Sequence, residues 1–264
     1  MKKYVRLLMG LLIAGWWSAS CSSDHDDIPS DVSGKGGVRI GLSTDTGFSS
    51  RAVDESYYAN KNNYTIQILK NGKVVEGCEY KYSELPNDLI ELDNGSYVLR
   101  AFCGTDVAYS RTEMYVMGEK SFHVEEDQQE VLVDCKPKVA KLVVAFDAEA
   151  MKKYFSQYSV AFSGLESLQG ASLNWLYNDI APWYVRVKEE GEKVIATFSL
   201  VDTNGKVASV EPKSYSLKPQ QSLTLKIAPY DQSAEPGSLG ITITINETTI
   251  DKPVDILIPS EWAN

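Results

Sequence analysis

The residues in this chain with chemistry to offer are its 4 cysteines, 2 histidines and 36 carboxylates, and their spacing argues against catalysis. Cys78, Cys103 and Cys135 contain no pair with zinc-ligand spacing. Cys103 ends one alternating run and Cys135 lies in another, so buried apolar thiols are expected, with at most one internal disulfide among the three. A cysteine–histidine couple would have to use His123, because His25 stands in a short acidic tract near the start. The carboxylate pairs Glu189–Glu190 and Asp26–Asp27 are adjacent in sequence and hydrophilic in surroundings, with nothing apolar to raise the pKa of a catalytic acid. Gly34 and Gly36 have no helix after them, so no phosphate loop is expected. The reading is of a chain without catalytic residues, metal or cofactor.

The fourth thiol is different. Lys2, Lys3 and Arg6 form a charged start, Leu7 to Trp17 an apolar run, and Ser18, Ala19 and Ser20 a small-residue box before Cys21. This arrangement resembles a bacterial lipoprotein signal, which implies that residues 1–20 are removed and Cys21 is acylated; Ser18 departs from the leucine usual there. The apolar run is shorter than the roughly 20 residues of a membrane-spanning helix. Ser22 to Asp27 resembles the export signal of Bacteroidales surface lipoproteins, which implies a lipid-anchored protein exposed at the outer membrane. The net charge of −10 becomes −13 once the three basic residues of the leader are gone. Nucleic acid and anionic lipid surfaces both select basic proteins, so neither is an expected partner, and membrane attachment rests on the acyl chains.

The elements that must hold any site are strands. Residues 21–37 read as an acidic flexible tether, residues 38–137 as one β-sandwich and 138–264 as a second, each near the 120 or so residues of a small domain. Val38, Ile40 and Leu42 alternate with polar or small residues. Tyr64 to Leu69 runs into Asn71-Gly72, a pair suited to a type I′ hairpin turn. Asn94-Gly95 leads into Tyr97 to Cys103, and further short strands bring the first half to about seven, the pattern of a sandwich. In the second half Asp147 to Tyr158 carries Met151, Tyr154, Phe155 and Tyr158 at helical spacing, with Asp147 as its cap. The last predicted strand is Val254 to Ile258, with Pro253 and Pro259 marking its ends.

Several stretches carry a family likeness: Ser83-Glu84-Leu85-Pro86 to Asn94-Gly95-Ser96-Tyr97, the segment Met151 to Phe155, and the ending Ile258-Pro259-Ser260-Glu261-Trp262. With the leader, the tether, the first strand and the Arg51-Ala52 step, they resemble the fimbrillin-like lipoproteins of Bacteroidales and a domain-of-unknown-function lipoprotein family of that order. The resemblance implies an all-β fold of two transthyretin-like sandwiches and a fimbrial or cell-adhesion role among other subunits. It also implies processing after Arg51, so that the chain begins at Ala52 and loses the strand carrying Val38, Ile40 and Leu42. A strand from the next subunit, here the one carrying Val254, Ile256 and Ile258, would fill the vacated slot by β-augmentation.

An alternative belongs to another class. The run Asn174 to Tyr184 concentrates Trp175, Tyr177, Trp183 and Tyr184 beside amides and a carboxylate, the makings of a stacking platform for a host or dietary glycan. Two tryptophans this close serve equally as buried anchors of a long loop.

Overall fold

The computed structural model describes residues 34–45, 48, 56–208, 210–229, 239–245 and 248–254. In chain order the first half contains β1 (Lys35–Thr44), α1 (Ser56–Ala59), β2 (Thr65–Lys70), β3 (Lys73–Lys81), β4 (Ile90–Asp93), β5 (Gly95–Cys103), β6 (Tyr109–Ser110), β7 (Val116–Val124) and β8 (Gln129–Pro137). The second half contains β9 (Val139–Phe146), α2 (Ala148–Met151), β10 (Phe155–Ser163), β11 (Leu173–Leu176), β12 (Trp183–Arg186), β13 (Glu192–Asp202), β14 (Val207–Ala208), β15 (Lys213–Leu217), β16 (Ser222–Pro229), β17 (Leu239–Ile245) and β18 (Thr248–Val254). The fold is an all-β sandwich, as the alternating runs predict.

Seven strands of the first half join in the order β3-β2-β5-β7-β8-β1-β4. β7 and β8 share only the pairs Val116–Pro137 and Met117–Lys136. The strip β4-β1-β8 therefore diverges from β3-β2-β5-β7, and their inner faces bury Val38, Leu42, Leu92 and Val133 against Ile66, Ile68, Leu99 and Val116. Asn71 and Gly72 both have positive φ, 53° and 76°, which is the turn their sequence predicts between β2 and β3. In β5 the alternation of Tyr97, Leu99, Ala101 and Cys103 is inward throughout.

The second half packs a five-stranded sheet, in which β13 pairs with β10, β14 and β15, against a six-stranded sheet of order β18-β17-β16-β9-β12-β6. Leu142, Val144, Leu223 and Leu225 from one face Val160, Phe162, Ala196 and Phe198 from the other. β6, from the first half, completes the second sheet through Tyr109–Val185 and Ser110–Tyr184. The described residues form one compact unit with these two cores. No helix among the described residues is long and apolar enough to cross a membrane.

Two expectations are corrected. Asp147 caps its helix, accepting from the Ala150 amide at 3.1 Å, but α2 ends at Met151. Phe155 and Tyr158 belong to β10, where a bulge between Phe155 and Gln157 turns both rings inward. The extra residue of a bulge gives a strand the three-residue apolar spacing that reads as helix. The last described strand is Thr248–Val254, and Pro253 lies inside it opposite Gly240. An edge strand tolerates the missing N–H of proline, so Pro253 is no boundary there. Ile256 and Ile258 lie outside the described residues.

Candidate functional site

β1, the first described strand, is interior to its sheet, between β8 and β4. It runs parallel to β8 from Val38–Gln129 to Thr44–Cys135 and antiparallel to β4 from Lys35–Asp93 to Val38–Ile90. Beyond the paired residues the Asp45 amide donates to the Cys135 carbonyl at 3.1 Å, and the Asn94 amide donates to the Gly34 carbonyl at 2.9 Å. Val38 and Leu42 are fully buried, with Ile40 half-buried in the same row. Each such side chain contributes about 1.5–3 kcal/mol by leaving water. Removing β1 would expose this row's partners and open the ladders of β8 and β4, whose backbone groups need new partners.

The backbone approaches most closely at Gly36. A methyl group there would overlap the Glu125 carbonyl oxygen in the β7–β8 turn and lie 3.1 Å from the Asp127 carbonyl oxygen. After β1, Phe48 is buried edge-on against Tyr184, with ring centroids 5.9 Å apart, and the Lys141 ammonium lies 5.7 Å from the Phe48 ring. Arg51 and Ala52, just beyond Phe48, lie outside the described residues, as does Cys21.

The aromatic stretch is organised by an arginine that its own sequence gives no reason to expect. Arg111 sits 4.1 Å from the Trp183 ring centroid and 5.0 Å from that of Trp175. It donates to the Ala181 carbonyl and the Asp179 carboxylate, each at 2.7 Å, and to the Asn174 carbonyl at 3.0 Å. Asp179 also accepts from the Leu176 amide at 2.9 Å, while the Trp175 indole donates to the Asp179 carbonyl at 3.2 Å. Trp175 and Tyr184 are fully buried, and Trp183 is half-buried between Arg111 and the Tyr109 ring. Of the four aromatics only Tyr177 presents an open face, at 52% exposure. Trp175 and Tyr184 therefore serve as buried anchors of the loop, leaving Tyr177 and part of Trp183 toward solvent.

Cys78, Cys103 and Cys135 are buried free thiols. Burial pushes the Cys103 thiol up to about 11 and the Cys135 thiol up to about 12, away from nucleophilic ionisation. His123 approaches Ser96, Nδ1 to Oγ 3.1 Å. No metal-binding cluster of His, Cys, Asp or Glu occurs among the described residues.

A cleft of about 570 Å³, unforeseen from the sequence, lies where the two halves meet, over Tyr115, Met117 and Val187. Ion pairs Lys138–Glu189 at 2.7 Å, Lys188–Glu166 and Arg186–Asp106 line it. Its charges come from loops and strand ends far apart in sequence, which is why no motif announces it.

No curated protein matches the chain. Among solved structures it is similar to the fimbrial anchor protein Mfa2 from Porphyromonas gingivalis, at 11% identity and TM-score 0.43, covering 83% of this chain and 99% of that one. It is also similar to a fimbrial assembly protein from Parabacteroides distasonis, at 14% identity and TM-score 0.41, covering 84% of this chain and 99% of that one. The sequence model of a family described as a domain of unknown function, DUF4493, matches residues 34–260. That span contains Ser83 to Tyr97 and Met151 to Phe155, two of the stretches that carry the resemblance, and the chain belongs to the DUF4493 family.

Proposed function

We propose that this protein is a fimbrial or adhesion subunit at the bacterial cell surface, held to the outer membrane by acyl chains on Cys21 and assembled by exchange of its first strand. In this reading residues 38–137 and 138–264 are two sandwich domains in series, and the protein is structural rather than enzymatic. The observation that carries it is the place of β1: an interior strand, parallel to β8, the first of those described, followed in the chain by the stretch containing Arg51. Cleavage after Arg51 would sever that stretch and leave β1 held by its ladders and buried side chains alone. The vacated slot would then take a strand from another subunit, restoring main-chain hydrogen bonds and filling the apolar row. Such a contact is head-to-tail and need not close, so it propagates.

Arg51→Ala tests the processing step. The variant is expected to reach the surface, keep β1 and form no extended assemblies in electron micrographs of the cell envelope. Fibres of normal length and subunit content from that variant would sink the reading.

A further inference from the structure

The slot around β1 has one place that admits no side chain. At Gly41 an added methyl group would meet the end of the Leu132 side chain at 3.0 Å, which can rotate away, and at Gly37 it would meet Leu89 Cδ1 at 2.9 Å and Cβ at 3.1 Å, a contact of tenths of an ångström with a side chain and not with backbone. At Gly36 it meets backbone: it would overlap the Glu125 carbonyl and lie 2.8 Å from Cγ1 of Val124, which is fully buried and paired with Gly95 on β5. The Glu125 and Asp127 carbonyls both belong to the turn that directly follows the paired end of β7, so relief needs the chain itself to shift rather than a side chain to rotate.

We propose that the Gly36 position is the selectivity gate of the slot: a strand that replaces β1 must carry glycine two residues before the first of its inward apolar side chains. The inference rests on the strand-exchange reading and names the partner's chemistry. The occupant is a strand of the pattern Gly-x-apolar-x-apolar-x-apolar, running parallel to β8 and supplied by a different subunit.

The chain's own ending fails this requirement. Laying Val254, Ile256 and Ile258 over Val38, Ile40 and Leu42 brings Lys252 to the Gly36 position and Pro253 to that of Gly37. Reversing the segment brings Ser260 there, and sliding it by two residues brings Val254 or Ile258. Each carries a Cβ. Gly237, Leu239, Ile241 and Ile243 do satisfy the pattern, but β17 is held between β16 and β18 in its own sheet. Copies of this protein therefore do not chain to one another through their last strands.

The test uses the full chain with a site-specific protease sequence replacing residues 49–54, nicked to completion and offered fluorescent peptides. Peptides of residues 34–46 and 235–246 are expected to exchange into the nicked chain. The 34–46 peptide carrying Gly36→Val, and the 250–262 peptide, should bind at least about tenfold more weakly, the effect of overpacking a close contact. Binding of either within about threefold of the native peptide, too little for a steric overlap, overturns the gate. Failure of the native 34–46 peptide to exchange at all overturns strand exchange itself. In that event Gly36→Ala in the unnicked chain still judges the steric claim, since an unfolding midpoint equal to that of the parent chain contradicts it.

Discussion

β1 and β9 each open one half of the fold, and each pairs antiparallel with one strand over its leading residues and parallel with another over the rest. β1 takes β4 over Lys35–Val38 and β8 over Val38–Thr44; β9 takes β12 over Val139–Leu142 and β16 over Lys141–Phe146. In both a small inward residue, Gly36 or Ala140, leads the apolar row. The fastening differs. At the far end the two are alike, the Asp147 amide donating to the Ile227 carbonyl at 2.8 Å and the Asp45 amide to the Cys135 carbonyl at 3.1 Å, but β9 follows β8 after the single residue Lys138. β1 has no other described strand directly before or after it in the chain: the next described element is α1, at Ser56–Ala59. Equivalent packing thus gives one strand tied directly into both halves through Lys138 and one that, in the proposed reading, a cut after Arg51 would free.

Truncating the matched core residues tests that comparison with the largest effect. Leu42→Ala and Leu142→Ala, both at fully buried sites, should each cost about 2–5 kcal/mol in denaturant unfolding. After a nick beyond β1, Leu42→Ala should speed release of the β1 peptide while Leu142→Ala leaves release unchanged; equal release from both would break the distinction. Next is Arg111→Ala, expected to cost about 2 kcal/mol by removing a charged hydrogen-bond donor and its stacking on two indoles. Tryptophan emission should shift red, and no saccharide should quench it in the parent chain.

The halves also differ in alkali. The cysteines at 78, 103 and 135 all lie in the first half, where burial holds the Cys103 and Cys135 thiols protonated up to about 11 and about 12 against a usual 9.0. The unfolded chain gives up those protons near the usual value, so this stabilisation is whole below about pH 9 and is lost as pH climbs toward 12. Burial likewise pushes Tyr215, in the second core, up to about 12 from 10.0, so its loss begins a unit later. Midpoints of urea unfolding between pH 8 and 11 should fall first for the first half, and all three thiols should resist alkylation at pH 8 until the chain unfolds. The smallest effect belongs to Lys138→Ala in the cleft, whose ion pair with the largely exposed Glu189 is worth under about 1 kcal/mol.

Much of this was legible in the residues. Alternation located the strands, and Asn71-Gly72 located a turn, because both signals act between neighbours in sequence. The helix over 147–158 misled because a bulged strand and a helix share three-residue spacing, and only the pairing of β10 with β13 separates them. Arg111 was invisible for another reason: its partner Asp179 lies 68 residues away, and an arginine beside Ser110 and Thr112 looks solvated. The role of Gly36 depends on a turn about ninety residues downstream, which no local pattern encodes.

The most direct test of the central claim is the intact mass and N-terminal sequence of the protein taken from its own cell envelope. The account predicts a population beginning at Ala52, with the β1 slot refilled by a strand from another subunit. A chain that begins uniformly at acylated Cys21 and retains β1 in assembled fibres would contradict it.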